Sequence, residues 1–315
     1  MEDLRNEIKI AYSYYVYGMT QMQIAKKFNI SRQKVIRELK RAQQENIVKI
    51  EIAEYYEENL ETEKMLEDAF GLIDSVVVPN SDYVFLEELL SEALANYLKN
   101  RMDTCSVLGV GGGHLLEMTA PHLNQKYSRV SVVQLMGSLL KKEGPDPEFK
   151  NIYDSDRLVI AYSQKLAATP YFLHAPLFAE SERHKAMLLD EPYIKKSFEM
   201  IDRCTVGIFE VFDREINETL LKAYDEQLYR ETADAAGSVI FNYYDENGRF
   251  IDLKKIKERL LAPSVGQLRK IPLRIGIGGG SNHIGALLGA LRSGFFHIVM
   301  TDNDTALALL KKHRQ

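Results

Sequence analysis

No run of about 18 apolar residues occurs in the 315-residue chain, so the sequence offers no membrane-spanning helix. The opening residues, MEDLRNEIK, are charged from the start and lack the apolar core of a signal peptide. Cysteine is scarce. The two present, Cys105 and Cys204, stand far apart without metal-ligand spacing and read as reduced thiols in apolar strands, which implies the cytoplasm. The seven histidines form no HExxH or other ligand cluster, so a metal centre has no support. What remains is ordinary for a folded protein: 45% hydrophobic and 27% charged residues exclude disorder, and the length suits about two domains.

Charge is unevenly spread. The whole chain carries a formal −5, yet residues 1–53 hold ten Lys and Arg against six Asp and Glu. The segment that follows, EYYEENLETEKMLED, has seven acids and one lysine. Such asymmetry suggests a basic module, 1–53, joined through an acidic helical connector, 54–70, to a larger acidic module, 71–315.

Within the first module, Ile8, Ala11, Tyr12 and Tyr15 recur at helical spacing and predict an amphipathic helix over 4–17. Gly18 ends it, and Thr20 with Gln23 forms a T-x-x-Q capping box that opens a short second helix burying Ile24, Ala25 and Phe28. Asn29–Ser31 breaks the chain, and Ser31 is placed to cap a third helix whose buried stripe would be Val35, Ile36, Leu39 and Ala42. The alternating IVKIEI after Asn46 suits one strand of a wing. Helix, short turn, helix is the arrangement that places a second helix in the DNA major groove. Here that helix would face outward with Arg32, Gln33, Lys34, Arg37, Lys40 and Arg41. Arg and Gln suit base edges and Lys suits phosphates, so Arg32, Gln33 and Arg37 are expected to read bases while Lys34, Lys40 and Arg41 hold the backbone. The bland alternative is a basic helix that only faces solvent.

The larger module alternates short apolar runs with amphipathic stretches. SVVVP, CSVLGV, VSVVQL, VGIFEV, PLRIGI and HIVMTD read as strands of a mainly parallel sheet with helices on both faces. Two glycine clusters, GVGGGHLLEM and GIGGGSNHIGALLGAL, run strand, glycines, helix, a layout that presents backbone N–H groups to an anion. Neither fits G-x-G-x-x-G, because His114 and Ser281 occupy the sixth positions, and no acid stands about 20 residues after Gly109. A smaller phosphorylated ligand therefore fits better than a dinucleotide, the alternative being that the glycines only permit tight turns.

MTQMQIAKKFNISRQKVIRELKRAQQENIVKIEI resembles the N-terminus of the SorC/DeoR-type sugar-sensing transcriptional regulators, through Gln21, Ile24, Ala25, Ile30, Ser31, Arg32, Val35, Arg37, Leu39, Ala42, Val48 and Ile50. The resemblance extends along almost the whole chain in the ordered set GVGGGHL, VVQLMGSL, FLHAPLFAES, GSVIFNYYDENG, GIGGGSN and HIVMTDNDTALALL. It implies an α/β fold: an N-terminal winged helix-turn-helix domain followed by a Rossmann-like sensor domain similar to sugar-phosphate isomerases. It also implies double-stranded operator DNA as partner, a phosphorylated sugar as effector, no cofactor, and a homo-oligomer, dimer or tetramer. Carried over position by position, Gln21 joins the DNA-binding residues. The effector residues become Gly111, Gly112, Gly113, His114, Gln134, Gly137, Ser138, Gly278, Gly279, Gly280 and Ser281, with Asp245 and Asp302 near the sugar. His114 and Met136 depart from the family pattern, and Met136 cannot form the covalent adduct that a lysine there could. Two other readings stand beside this one. An isomerase-like enzyme would draw on Glu117, His114, Asp302 or His283, none of which has a diagnostic spacing. A pure oligomerisation platform would bind no small molecule. The connector offers Leu60, Met65, Leu66 and Phe70 as an apolar face for coupling the modules.

Overall fold

The computed structural model describes residues 2–44, 47–48, 54–80, 83–138, 155–215, 218, 221–222 and 225–314. The chain divides into two compact units, Met1–Glu57 and Glu58–Gln315.

Three helices build the first unit: α1 (Glu2–Tyr15), α2 (Gln21–Phe28) and α3 (Arg32–Gln44). The capping box forms as the sequence predicts. The Thr20 amide donates to Gln23 Oε1 at 2.8 Å, and the Gln23 amide donates to Thr20 Oγ1 at 3.2 Å. Asn29 closes α2 in the left-handed region, φ 50°, a conformation that Asn tolerates better than most residues. Ser31 Oγ then accepts the Lys34 amide at 3.1 Å and opens α3. Ile10, Ala11, Ile24, Val35, Leu39 and Ala42 form the core where the three helices meet. Two expectations shift. Ile36 is exposed rather than part of the stripe, and Ile8, Tyr12 and Tyr15 lie on the outer side of α1. On the inner side of α1, beside Ile10 and Ala11, buried Glu7 stands 3.7 Å from Arg41 Nε of α3, and a buried carboxylate needs such a counter-charge. Only Ile47 and Val48 of the wing strand fall within the described residues, and both pack on this core.

The second unit is a seven-stranded, all-parallel sheet with helices on both faces. Its strands are β1 (Asp74–Val78), β2 (Val107–Val110), β3 (Ser131–Gln134), β4 (Thr169–Tyr171), β5 (Val206–Glu210), β9 (Leu273–Ile277) and β10 (Ile298–Asp302). They lie in the order β1-β10-β9-β5-β2-β3-β4. Strands buried on both sides read as continuous apolar runs, which is why six of the seven were visible in the sequence. Alternate side chains serve opposite faces. Leu108, Val110, Ile208, Ile275, Ile298 and Met300 meet α5 (Tyr83–Lys99), α6 (His114–Thr119) and α7 (Ser155–Leu166). Phe209, Val211 and Val299 meet the opposite layer, including helices Ile284–Arg292 and Asn303–His313. The edge strand β4 is too short and too polar to have been predicted.

Connector helix α4 (Glu54–Phe70) docks on this unit through its second half. Thr62 Oγ1 donates to Asn303 Oδ1 at 3.1 Å, Ser75 Oγ donates to the Glu63 carbonyl at 3.0 Å, and the Val77 amide donates to Glu63 Oε1 at 2.8 Å. Leu66 and Phe70 pack inward as expected, whereas Leu60 and Met65 are exposed. Polar bonds to β1 and to the C-terminal helix, not an apolar stripe alone, select the docked face.

A second sheet, β6 (Phe212–Asp213), β7 (Gly237–Val239) and β8 (Asn242–Tyr244), is antiparallel. β7 and β8 are joined by a two-residue turn, Ile240–Phe241, with φ of 48° and 56°. Each left-handed residue of this kind costs about 1–3 kcal/mol, and a β-branched residue there is an outlier. Burial of both side chains holds the turn in place.

Neither cysteine lies within a strand. Cys105 and Cys204 are free and buried just ahead of β2 and β5, and burial raises the pKa of both thiols.

Replacing Thr20 by Ala should remove about 1 kcal/mol from the first unit. Hydrogen exchange of α2 amides in the full chain should then quicken several-fold, and unchanged exchange would show that the box carries no load.

Candidate functional site

On the first unit, α3 presents Arg32, Gln33, Lys34, Arg37 and Lys40 to solvent, with Ser31 at its start. Arg32 is partly positioned, since its Nε donates to Gln21 Oε1 at 3.2 Å. Gln21 thus orients an arginine from the neighbouring helix. Arg41 differs from the rest, because its guanidinium faces Glu7 and is committed in part to holding α1 on α3.

On the second unit, β2, β3 and β4 follow one another outward to one side, while β5, β9 and β10 follow to the other. Strand order reverses between β2 and β5, and in open parallel sheets ligands bind at such a point, beyond the carboxyl ends of the strands. Gly111–Gly113 follow β2, Gly137 and Ser138 follow β3, and Gly278–Ser281 follow β9. The β2 and β9 loops flank the end of β5, so at about 4.8 Å per strand they stand roughly 10 Å apart.

The end of β5 carries an acid. Glu210 accepts the Leu115 amide at 2.8 Å through Oε2, at the first turn of α6. Gly113, φ 145°, runs so close that a Cβ there would lie 2.1 Å from Glu210 Oε2, which fixes the residue as glycine. Burial pushes the Glu210 carboxyl up to about 8; the Leu115 amide opposes this shift and nearby Glu87 adds to it. His114 Nε2 lies 3.7 Å from Glu87 Oε2. Beside the second loop, His283 Nδ1 lies 3.3 Å from Asp213 Oδ2, with both side chains largely buried. Glu117 is taken up by Arg157 at 2.9 Å.

The expected effector residues divide into loop and support. The Gly111 amide donates to the Ile208 carbonyl, the Gly137 amide to the Leu261 carbonyl and the Gly278 amide to the Met300 carbonyl, so each loop is tied to a neighbouring segment. At Gly137 a Cβ would lie 2.3 Å from the Pro176 carbonyl oxygen. Gln134 is fully buried and behind the loop. Its Nε2 donates to Ser155 Oγ at 2.7 Å and Ser138 Oγ at 3.0 Å, and its Oε1 accepts the Leu173 amide at 2.8 Å. Met136 points into the core. Asp302 is buried as well: it caps helix Asn303–His313 by accepting the Thr305 amide at 2.9 Å, and it accepts the Gly280 amide at 2.8 Å. Asp245 has its carboxylate engaged in its own turn. Its Oδ1 accepts the amides of Asn247 and Arg249, both at 2.9 Å, and its backbone packs at Gly289, about 7 Å along helix Ile284–Arg292 from that helix's start. An Asp two and four residues ahead of accessible amides closes a turn, which is the job Asp245 performs.

Glu210, Glu87, Asp213 and the Ile240–Phe241 turn were missed in the sequence. The acid ending the apolar run VGIFEV was a signal available for Glu210. The turn had none, because Ile-Phe is not a residue pair that favours positive φ.

A family model described as "Putative sugar-binding domain" matches residues 54–311. The sorbitol operon regulator of Klebsiella pneumoniae is 28% identical over 319 residues, covering 98% of this chain and 99% of that protein. The deoxyribonucleoside regulator of Bacillus subtilis is 25% identical over 309 residues, covering 96% of each. The crystal structure of the full-length sorbitol operon regulator SorC from Klebsiella pneumoniae aligns with a TM-score of 0.73 at 25% identity, over 98% of this chain and 100% of that one.

The Glu210 carboxyl gives a pH test of this geometry. A carboxyl with a raised folded-state pKa favours the folded state at low pH, and that contribution is lost as pH rises from its unfolded value of 4.5 through about 8. Glu210→Gln keeps an acceptor for the Leu115 amide without the ionisation. Its melting temperature should gain on the parent's steadily between pH 5 and 8.5; parallel curves would show that Glu210 ionises freely.

Proposed function

The chain belongs to the sugar-binding-domain family of SorC/DeoR-type transcriptional regulators, and from that premise we propose that it controls a carbohydrate-utilisation operon in response to a phosphorylated sugar. The observation that carries the DNA half is the division of α3: Val35, Leu39 and Ala42 are buried while Arg32, Gln33, Lys34, Arg37 and Lys40 stand outside. In this reading Arg32, Gln33 and Arg37 meet base edges and Lys34 and Lys40 meet phosphates. Two such helices in a cytoplasmic homo-oligomer, dimer or tetramer, would sit on half-sites about one helical turn or a multiple apart. The outer side of α1, with exposed Ile8, Tyr12 and Tyr15 about one turn apart each, supports self-association.

The effector half rests on the glycine loops at the point where strand order reverses. Ser281 is exposed at the second loop and suits a phosphate or sugar hydroxyl. A Glu210 carboxyl with a pKa near 8 is mainly neutral at pH 7, so it does not repel an anion there. No cofactor is needed. The ligand is bound rather than converted, and it acts by favouring one subunit arrangement over another. In this reading helix α4, whose Thr62 donates to the residue after Asp302, carries the coupling.

A mobility-shift assay on the DNA upstream of the chain's own gene, with a panel of sugar phosphates, tests both halves. Arg37→Ala should weaken specific binding about 10- to 100-fold, as expected for a base contact worth about 1–3 kcal/mol. Lys40→Ala should weaken all sequences alike and reduce the salt slope by about 1. Ser281→Ala should blunt the sugar-phosphate response with ligand-free binding intact. Parental binding by Arg32→Ala and Arg37→Ala would reject the DNA assignment, and turnover of a sugar phosphate by the purified chain would reject the non-catalytic one.

A further inference from the structure

A cavity of about 630 Å³ opens between the three-stranded sheet and helices α8 (Glu182–Asp190) and α9 (Pro192–Ile201). That volume lies within the range of small-molecule sites. None of its lining residues belongs to the glycine loops. Its walls are apolar and rich in aromatic carbon: Phe198, Phe241, Phe250, Leu260 and Val265. Three lysines, Lys185, Lys195 and Lys257, stand among the lining residues against one acid, Asp252.

The lysines are not equivalent. Lys195 pairs with Asp190 at 2.7 Å, and Lys257 pairs with Asp252 at 3.0 Å. Lys185 is half-buried and donates to the Lys257 carbonyl at 2.7 Å, with no ion-pair partner among the described residues. Burial lowers the Lys185 pKa and neighbouring Lys257 adds to the shift, against a smaller opposing pull from Glu182. One wall is the strained turn. Phe241, held at φ 56°, sets its ring edge-on to Phe178 at 5.5 Å, while Asn242 Nδ2 donates to the carbonyls of Val239, Ile240 and Pro263 and locks the hairpin tip to the far wall. A concave apolar wall of this size beside a half-buried ammonium that has no ion-pair partner among the described residues suits a ligand with an apolar body and one anionic group.

We propose that this cavity is a second ligand site, separate from the glycine-loop site, for a small amphipathic anion: an aromatic or branched apolar body with one carboxylate that pairs with Lys185. The apolar body covers the phenylalanine walls, and the carboxylate supplies the charge Lys185 lacks.

Calorimetric titration of the full-length chain with 2-naphthoate and with uncharged 2-naphthylmethanol tests the proposal. One naphthoate should bind per chain, about tenfold or more tighter than the alcohol, and Lys185→Gln should reduce naphthoate to the affinity of the alcohol. Because the chain contains no tryptophan, Phe198→Trp gives a single reporter inside the cavity, and its emission should change on titration with naphthoate. Glucose 6-phosphate should not displace naphthoate, and Ser281→Ala should leave its affinity unchanged. The proposal fails if naphthoate does not bind, if Lys185→Gln binds it like the parent, or if glucose 6-phosphate competes with it. It fails equally if the Phe198→Trp emission is silent while the chain self-associates, which would assign the cavity to a second copy. Each of these outcomes leaves the sugar-phosphate response in the DNA shift assay to be judged separately.

Discussion

Asp302 joins, through its buried carboxylate, the end of β10, the start of the C-terminal helix and the second glycine loop. It is the last residue of β10, and its carboxylate accepts the Thr305 amide, the Thr305 hydroxyl and the Gly280 amide. One buried anion thus ends the sheet, starts the C-terminal helix and fixes the second glycine loop. The helix it starts carries Asn303 to Thr62 of α4 and Asp304 to Asn80 beyond β1. A carboxylate buried away from water must have such donors, because the cost of leaving it unpaired exceeds that of any single contact around it. The converse also holds: the loop, the helix start and the docking of α4 depend on one another. A disturbance at Gly280 is met by the same oxygen that Thr305 uses.

The first glycine loop is organised on the same principle with a different outcome. Glu210 also meets backbone amides at a helix start, those of Leu115 at 2.8 Å and of Leu116, yet it lies near Glu87. Desolvation therefore exceeds hydrogen bonding, and the proton is held to about pH 8. At Asp302, by contrast, three donors converge on two oxygens. Two loops that look alike in sequence, GVGGGH and GIGGGS, are therefore electrostatically distinct. The difference comes from residues outside both motifs.

What could be read from the sequence follows from where the controlling partner lies. Local signals were sufficient for α2 and α3, because the Thr20–Gln23 box, Asn29 and Ser31 act within four residues. They were sufficient for the central strands, whose two buried faces leave continuous apolar runs. They failed for β6 to β8, which have two or three residues each and a turn held by burial rather than by its own preference. In the site, the glycine positions were legible but the roles of polar residues were not. Gln134, Asp245 and Asp302 look like ligand-facing groups in a one-dimensional pattern. Their partners, Ser155, the Arg249 amide and the Gly280 amide, can be seen only once the chain is folded. Glu210 was overlooked for the opposite reason: it stands outside any motif and becomes important only because β5 ends where strand order reverses.

The same limit applies to charge. Five basic residues from Arg32 to Arg41 suggest one uniform face, but the structure divides them. Arg41 faces the buried Glu7 of α1, and Arg32 is held by Gln21. Among the described residues the side chains of Lys34, Arg37 and Lys40 make no comparable tie, and they project from a helix held by Val35, Leu39 and Ala42. A chain with a net charge of −5 can still carry such a face, because attraction to a polyanion depends on the charges within about a Debye length of it, roughly 8 Å at physiological salt. The acids that make the chain negative are concentrated after residue 53, whereas residues 1–53 hold ten Lys and Arg against six Asp and Glu.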